Sequence, residues 1–166
     1  MWALATLLMM SGVSWARGTY QEPDNFISEV FAGKPPTAKQ LWITDALQRE
    51  ITLIMGHPLG QRRIRYWRDH RRSAWILDEI GKEEPITIGY VVNQGRIERV
   101  RVLIYRESRG DEVRYPRFTE QFKGATLKDT NALDRSIDNI SGATMSVDAL
   151  TRTARLALYL DKKSQE

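Results

Sequence analysis

The 166-residue chain has no cysteine and only two histidines. The first absence excludes disulfides, iron–sulfur ligation, thiolate zinc and a cysteine nucleophile. The second leaves His57 and His70, which have no HxxxH or HExxH spacing and no acidic partner at ligand spacing. No GxGxxG, P-loop or GxSxG sequence occurs. No catalytic or metal-ligating residue follows from such a pattern, so redox chemistry would need an added cofactor. Charge of one sign is not strongly dominant either: 25 Lys+Arg face 21 Asp+Glu, a formal +4. That mild excess favours anions without the dense basic surface of a DNA binder, and nucleic acid is not an expected partner.

Long apolar runs are also missing. The longest, in residues 1–16 (MWALATLLMMSGVSWA), spans ~14 residues, short of the ~20 needed to cross a bilayer as a helix. It carries no charge before Arg17, and the small residues Ser14 and Ala16 suit signal peptidase. The expectation is an export signal cleaved near Ala16 or retained as an anchor, which places the protein on the periplasmic or extracytoplasmic face of a membrane. Residues 17–36, polar and Pro-rich, read as a leader with one short helical turn at Phe26–Phe31. Residues 37–166 read as one domain, a natural size for a single core.

Within that domain Thr44 caps a helix on which Leu47, Ile51 and Ile54 recur, and Gly56 closes it. Four runs rich in β-branched and aromatic residues follow, at 62–67, 74–80, 86–92 and 96–105, joined by short turns that imply antiparallel neighbours. In the last run Val100, Val102 and Ile104 are expected on one face and Arg99 and Arg101 on the other. Phe118 and Phe122 sit at i, i+4 in a short helical piece, and residues 125–140 are mostly loop. From Ser146 to Lys162 a stripe of Val147, Leu150, Ala154, Ala157 and Leu158 specifies an amphipathic helix. The fold class is therefore α+β: an antiparallel meander sheet with an N-terminal and a C-terminal helix packed on it.

Two segments carry candidate chemistry. Six arginines fall between positions 62 and 72, interleaved with Tyr66 and Trp67. This pattern reads either as a hairpin with an arginine-rich outer face or as a module that binds an anion or an acidic partner. The second segment, Asp138-Asn139-Ile140-Ser141-Gly142-Ala143-Thr144-Met145-Ser146, joins loop to C-terminal helix. Its small residues let an anion approach the backbone at a helix N-terminus, yet Ser141 or Ser146 could equally be an ordinary cap.

Asp138-x-x-Ser141-Gly142-Ala143-Thr144 resembles the flavinylation motif of the FMN-binding domain family, which includes the C and G subunits of sodium-translocating NADH:quinone reductase and of its ferredoxin-linked relative. Further elements are similar in the same order: the strand pair from Gly89 to Arg106, Glu107-Ser108-Arg109-Gly110, and Gln121-Phe122-Lys123-Gly124. The resemblance spans roughly residues 75–160. Ser108, Asp111 and Val147 depart from the family's commoner residues. The resemblance implies that a flavin transferase recognises Asp138, Ser141, Gly142, Ala143 and Thr144 and attaches FMN to the Thr144 hydroxyl by a phosphoester. It also implies that Ser141, Gly142, Ala143 and Ser146 surround the phosphate and that Glu107, Ser108 and Gly110 line the flavin; the charge a phosphodiester retains could be offset by the helix N-terminus and a cation such as Lys123 or Arg109. The implied activity is electron transfer with a membrane or extracytoplasmic redox protein, a cytochrome or a reductase. Flavin-dependent reduction of a small acceptor is the alternative.

Overall fold

The computed structural model describes residues 17–166, so the expected export signal at 1–16 lies outside the described residues. Strands β1 (Gly18–Thr19), β2 (Lys39–Trp42), β3 (Arg63–Asp69), β4 (Arg72–Ile80), β5 (Pro85–Asn93) and β6 (Arg96–Tyr105) form one antiparallel sheet in the order β1-β6-β5-β4-β3-β2. Helices are α1 (Pro23–Val30), α2 (Asp45–Met55), the single turn α3 (Pro116–Thr119) and α4 (Thr144–Lys163). The expected α+β architecture is the observed one. No helix among the described residues is long and apolar enough to cross a membrane.

Local chemistry accounts for most of the elements. Thr44 Oγ1 accepts from Leu47 N at 3.2 Å, and Gly56 ends α2 at φ +81°. Between β5 and β6, Gln94 and Gly95 both have positive φ, the two-residue turn that matches the twist of the flanking strands. On the front of the sheet α4 buries Val147, Leu150, Ala154, Ala157 and Leu158, together with Ile51 and Ile54 of α2 and the sheet residues Trp75 and Tyr90. Tyr66 stacks on Trp75 at 4.7 Å. Tyr90 ties sheet to helix by donating its hydroxyl to Leu150 O at 2.9 Å.

Three features differ from the expectations. Residues 17–36, expected as a leader with one short helical turn, join the fold: β1 pairs with β6, and α1 packs on the back of the sheet in a second core of Phe26, Ile27 and Val30 against Trp67, Ala74, Val91 and Leu103. This seat depends on Gly89, where a Cβ would come within 2.5 Å of the Phe26 ring. Second, a bulge shifts the β5–β6 register, so that Ile88 opposes Val102 while Thr87 opposes Ile104. Val100 and Val102 face the front core, whereas Ile104 packs with the back one. Third, α4 begins at Thr144 rather than Ser146.

Candidate functional site

Three segments converge on the start of α4 and enclose a cleft of about 570 Å³. The β4–β5 turn contributes Lys82 and Glu83, the loop after β6 contributes Glu107, Ser108 and Arg109, and the entry to α4 with its first turn contributes Gly142 to Ser146. Of the residues expected here, Glu107, Ser108, Gly142, Ala143, Thr144 and Ser146 are brought together. Asp138 and Ser141 lie exposed outside the cleft. Lys123 is not at the site either; it pairs loosely with Glu120 at 3.9 Å, while Arg109 and Lys82 are the cations on the cleft wall.

The cap alternative is settled by the geometry. Ala143 is the N-cap of the twenty-residue helix, and no side chain caps it. Neither Ser141 nor Ser146 does so. Gly142 precedes it at φ +82° with open space where a Cβ would stand, so the backbone can be approached there. Thr144, exposed at the first helical position, accepts from Asn139 Nδ2 at 3.0 Å through its hydroxyl oxygen. The amides that open a helix, aligned with its dipole, attract an anion. With Lys82 and Arg109 on the facing walls, these residues fit a cofactor phosphate.

Glu107 lines the cleft as expected and also has a structural task. It is buried, and Oε1 accepts from the backbone N–H groups of Lys82, Glu83 and Glu84 at 2.5, 2.7 and 3.0 Å. Burial pushes the carboxyl up, but these three donors outweigh it and hold the group below its ordinary range. Glu107 therefore shapes the β4–β5 turn that forms one wall of the cleft. Glu83 and Glu84 remain exposed, their amides rather than their carboxylates being the structural groups.

Gly110, unlike Glu107, is not a wall residue. It sits at φ +87°, where a Cβ would come within 2.9 Å of the Tyr105 hydroxyl and 3.1 Å of Ser146 Oγ. Tyr105 closes β6, is fully buried, donates its hydroxyl to Arg109 O at 2.5 Å and lies 2.8 Å from Ser146 Oγ. Burial pushes its phenol up to about 12. Sequence reasoning missed Tyr105 and Lys82, and it gave no role to Asn139, Met145 or Gln121, whose Oε1 accepts from Asp138 N at 2.8 Å and anchors the approach to Thr144. The Gln121 element was visible as a motif; the pairings span 17 and 41 residues and leave no local trace.

The arginine hairpin is largely self-satisfied. Arg68 pairs with Asp161 at 2.7 Å, Arg72 with Glu98 and Arg62 with Asp45, both at 3.1 Å. Arg63 and Arg65 lie over the Trp42 and Trp67 rings. The outer-face expectation fits Arg62, Arg63 and Arg65, whereas the Arg68 side chain packs, largely buried, against the end of α4.

No curated protein and no solved structure matches the chain. A family model does match, over residues 81–159, which hold the β4–β5 turn, the Glu107 loop and nearly all of α4. Residues 81–159 match the FMN-binding domain family, and the match supports FMN binding by this part of the chain.

Proposed function

We propose that the chain is an exported electron carrier whose FMN is attached covalently to Thr144. The observation that carries this reading is the exposed Thr144 hydroxyl at the first position of a long helix that no side chain caps, within a cleft bearing Lys82 and Arg109. Gly142 and Ala143 leave the backbone open to the phosphate, and Arg109 and Lys82 offset its remaining negative charge. In the attachment step Thr144 Oγ attacks the phosphorus of the FMN half of FAD. The phosphoanhydride bond to AMP breaks, AMP leaves, and the hydroxyl proton passes to the flavin transferase that brings the FAD. Asp138 and Ser141, exposed beside the cleft, are available to that enzyme. When bound, FMN supplies the electron chemistry, while the protein sets its exposure and its docking to partners. A covalent bond also suits an exported protein, which would meet no flavin pool to refill its site; the apolar run at 1–16 supports export.

The partner in this reading is a membrane or extracytoplasmic redox protein, a cytochrome or a reductase. Reduction of a small acceptor is less well supported, because Glu107 on the cleft wall is buried with its Oε1 committed to three backbone N–H donors. Two measurements test the proposal. After co-expression with a flavin transferase, flavin fluorescence should persist on a denaturing gel. The reduced protein should then be reoxidised faster by a c-type cytochrome than by small organic acceptors. Loss of fluorescence on denaturation would refute covalent attachment, and the opposite rate order would favour a reductase.

A further inference from the structure

Ser146 is the third residue of α4, and its orientation is set from outside the helix. The Arg109 carbonyl can only accept, so the Tyr105 hydroxyl, 2.5 Å away, donates its hydrogen there. A phenol has no second hydrogen. The 2.8 Å contact between Tyr105 and Ser146 is therefore filled by the Ser146 hydrogen, with the phenol oxygen accepting. Ser146 then turns only lone pairs toward the cleft, of which it forms part of the wall. An oxygen that can only accept repels a phosphate and welcomes a hydroxyl donor. Gly110 accommodates the arrangement, since a Cβ there would come within 2.9 Å of the Tyr105 hydroxyl and crowd Ser146 Oγ at 3.1 Å.

We propose that Tyr105 is a positioning residue that turns the Ser146 wall into a subsite for a polyol hydroxyl, the ribityl chain of the flavin, and away from its phosphate. This rests on the flavin reading of the cleft. The cofactor is thereby polarised along the helix start, with its phosphate on the Gly142–Thr144 side and its ribityl hydroxyls toward Ser146. The expectation that Ser146 joins the phosphate shell is replaced by this assignment. Tyr105 acts at a distance, by fixing the direction of a proton.

Two flavins that differ only in the phosphate separate the possibilities. Riboflavin and FMN are titrated, by quenching of flavin fluorescence, into the full-length chain purified without a flavin transferase. Ser146→Ala should weaken both ligands by the same factor, about two- to tenfold for one hydrogen bond. Tyr105→Phe should weaken both in parallel, and its melting temperature reports any purely structural loss. A loss confined to FMN, or no loss with either ligand, overturns the inference while leaving the flavin reading intact. Absence of binding by either flavin to the unsubstituted chain, together with no adduct after co-expression with the transferase, overturns both.

Discussion

The two ends of α4 are built on opposite plans. At the C-terminal end the Asp161 carboxylate is almost fully buried and saturated: it accepts from Ser73 Oγ at 2.5 Å and from Arg68 at 2.7 Å, and Trp75 Nε1 donates to Ser73 Oγ at 2.8 Å. At the N-terminal end no side chain caps the helix, and small residues lead to an exposed threonine. One end fastens the helix to the sheet. The other keeps its amides and one hydroxyl available to a ligand, and it can do so because the fastening lies elsewhere. Stability and function are thus separated along a single helix, and substitutions at the two ends should have contrasting effects.

The largest effect is expected at the fastened end. Asp161→Ala leaves Arg68 buried without its carboxylate and should cost about 3–5 kcal/mol, read as a fall in the denaturant midpoint. A loss below about 1 kcal/mol would mean that the helix is held by its apolar stripe alone. The back core should be next. Gly89→Ala forces a methyl group against the Phe26 ring and should cost about 1–3 kcal/mol. An unchanged midpoint would show that α1 can lift from the sheet without loss.

A smaller effect distinguishes the middle of the helix by pH. His57 Nδ1 faces Pro58 O and its Nε2 faces Glu79, both at 3.0 Å, while Arg152 of α4 holds the same carboxylate. The Pro58 carbonyl and then the Glu79 carboxylate raise the imidazole above its ordinary 6.5. Because the folded value is the higher one, the stabilisation is fully present below about 6.5 and is lost as pH rises through the raised value. The ring is half exposed, so screening holds the contribution to about 1 kcal/mol or less. The stability difference between the unsubstituted chain and His57→Gln should therefore shrink between pH 6 and pH 9. A difference that grew with pH would assign His57 the wrong partners.

How much of this was legible in the sequence depended on how local the cause was. The limits of α2 follow from Thr44 and Gly56, the hairpins from alternation and turn residues, and the cofactor segment from a contiguous motif ending at Thr144. The docking of α1 was not legible, because it rests on Phe26 meeting a glycine 63 positions away. The fastening of Arg68 to Asp161 crosses 93 positions. At the site, Glu107 and Gly110 were recognised as important, but their structural tasks were not. A carboxylate that caps a turn and a glycine that makes room for two hydroxyls look in sequence like ligand contacts. Tyr105 belongs to an ordinary strand pattern, and only the tertiary structure sets it against Ser146.

The smallest effect on stability coincides with the largest on function. Thr144→Ala removes an exposed hydroxyl and should change stability by less than about 0.5 kcal/mol. The direct measurement is the intact mass of the full chain after co-expression with a flavin transferase. The account predicts a gain of one FMN less one water in the unsubstituted chain, and no gain in Thr144→Ala. An unmodified wild-type mass, or an adduct that survives the substitution, would contradict it.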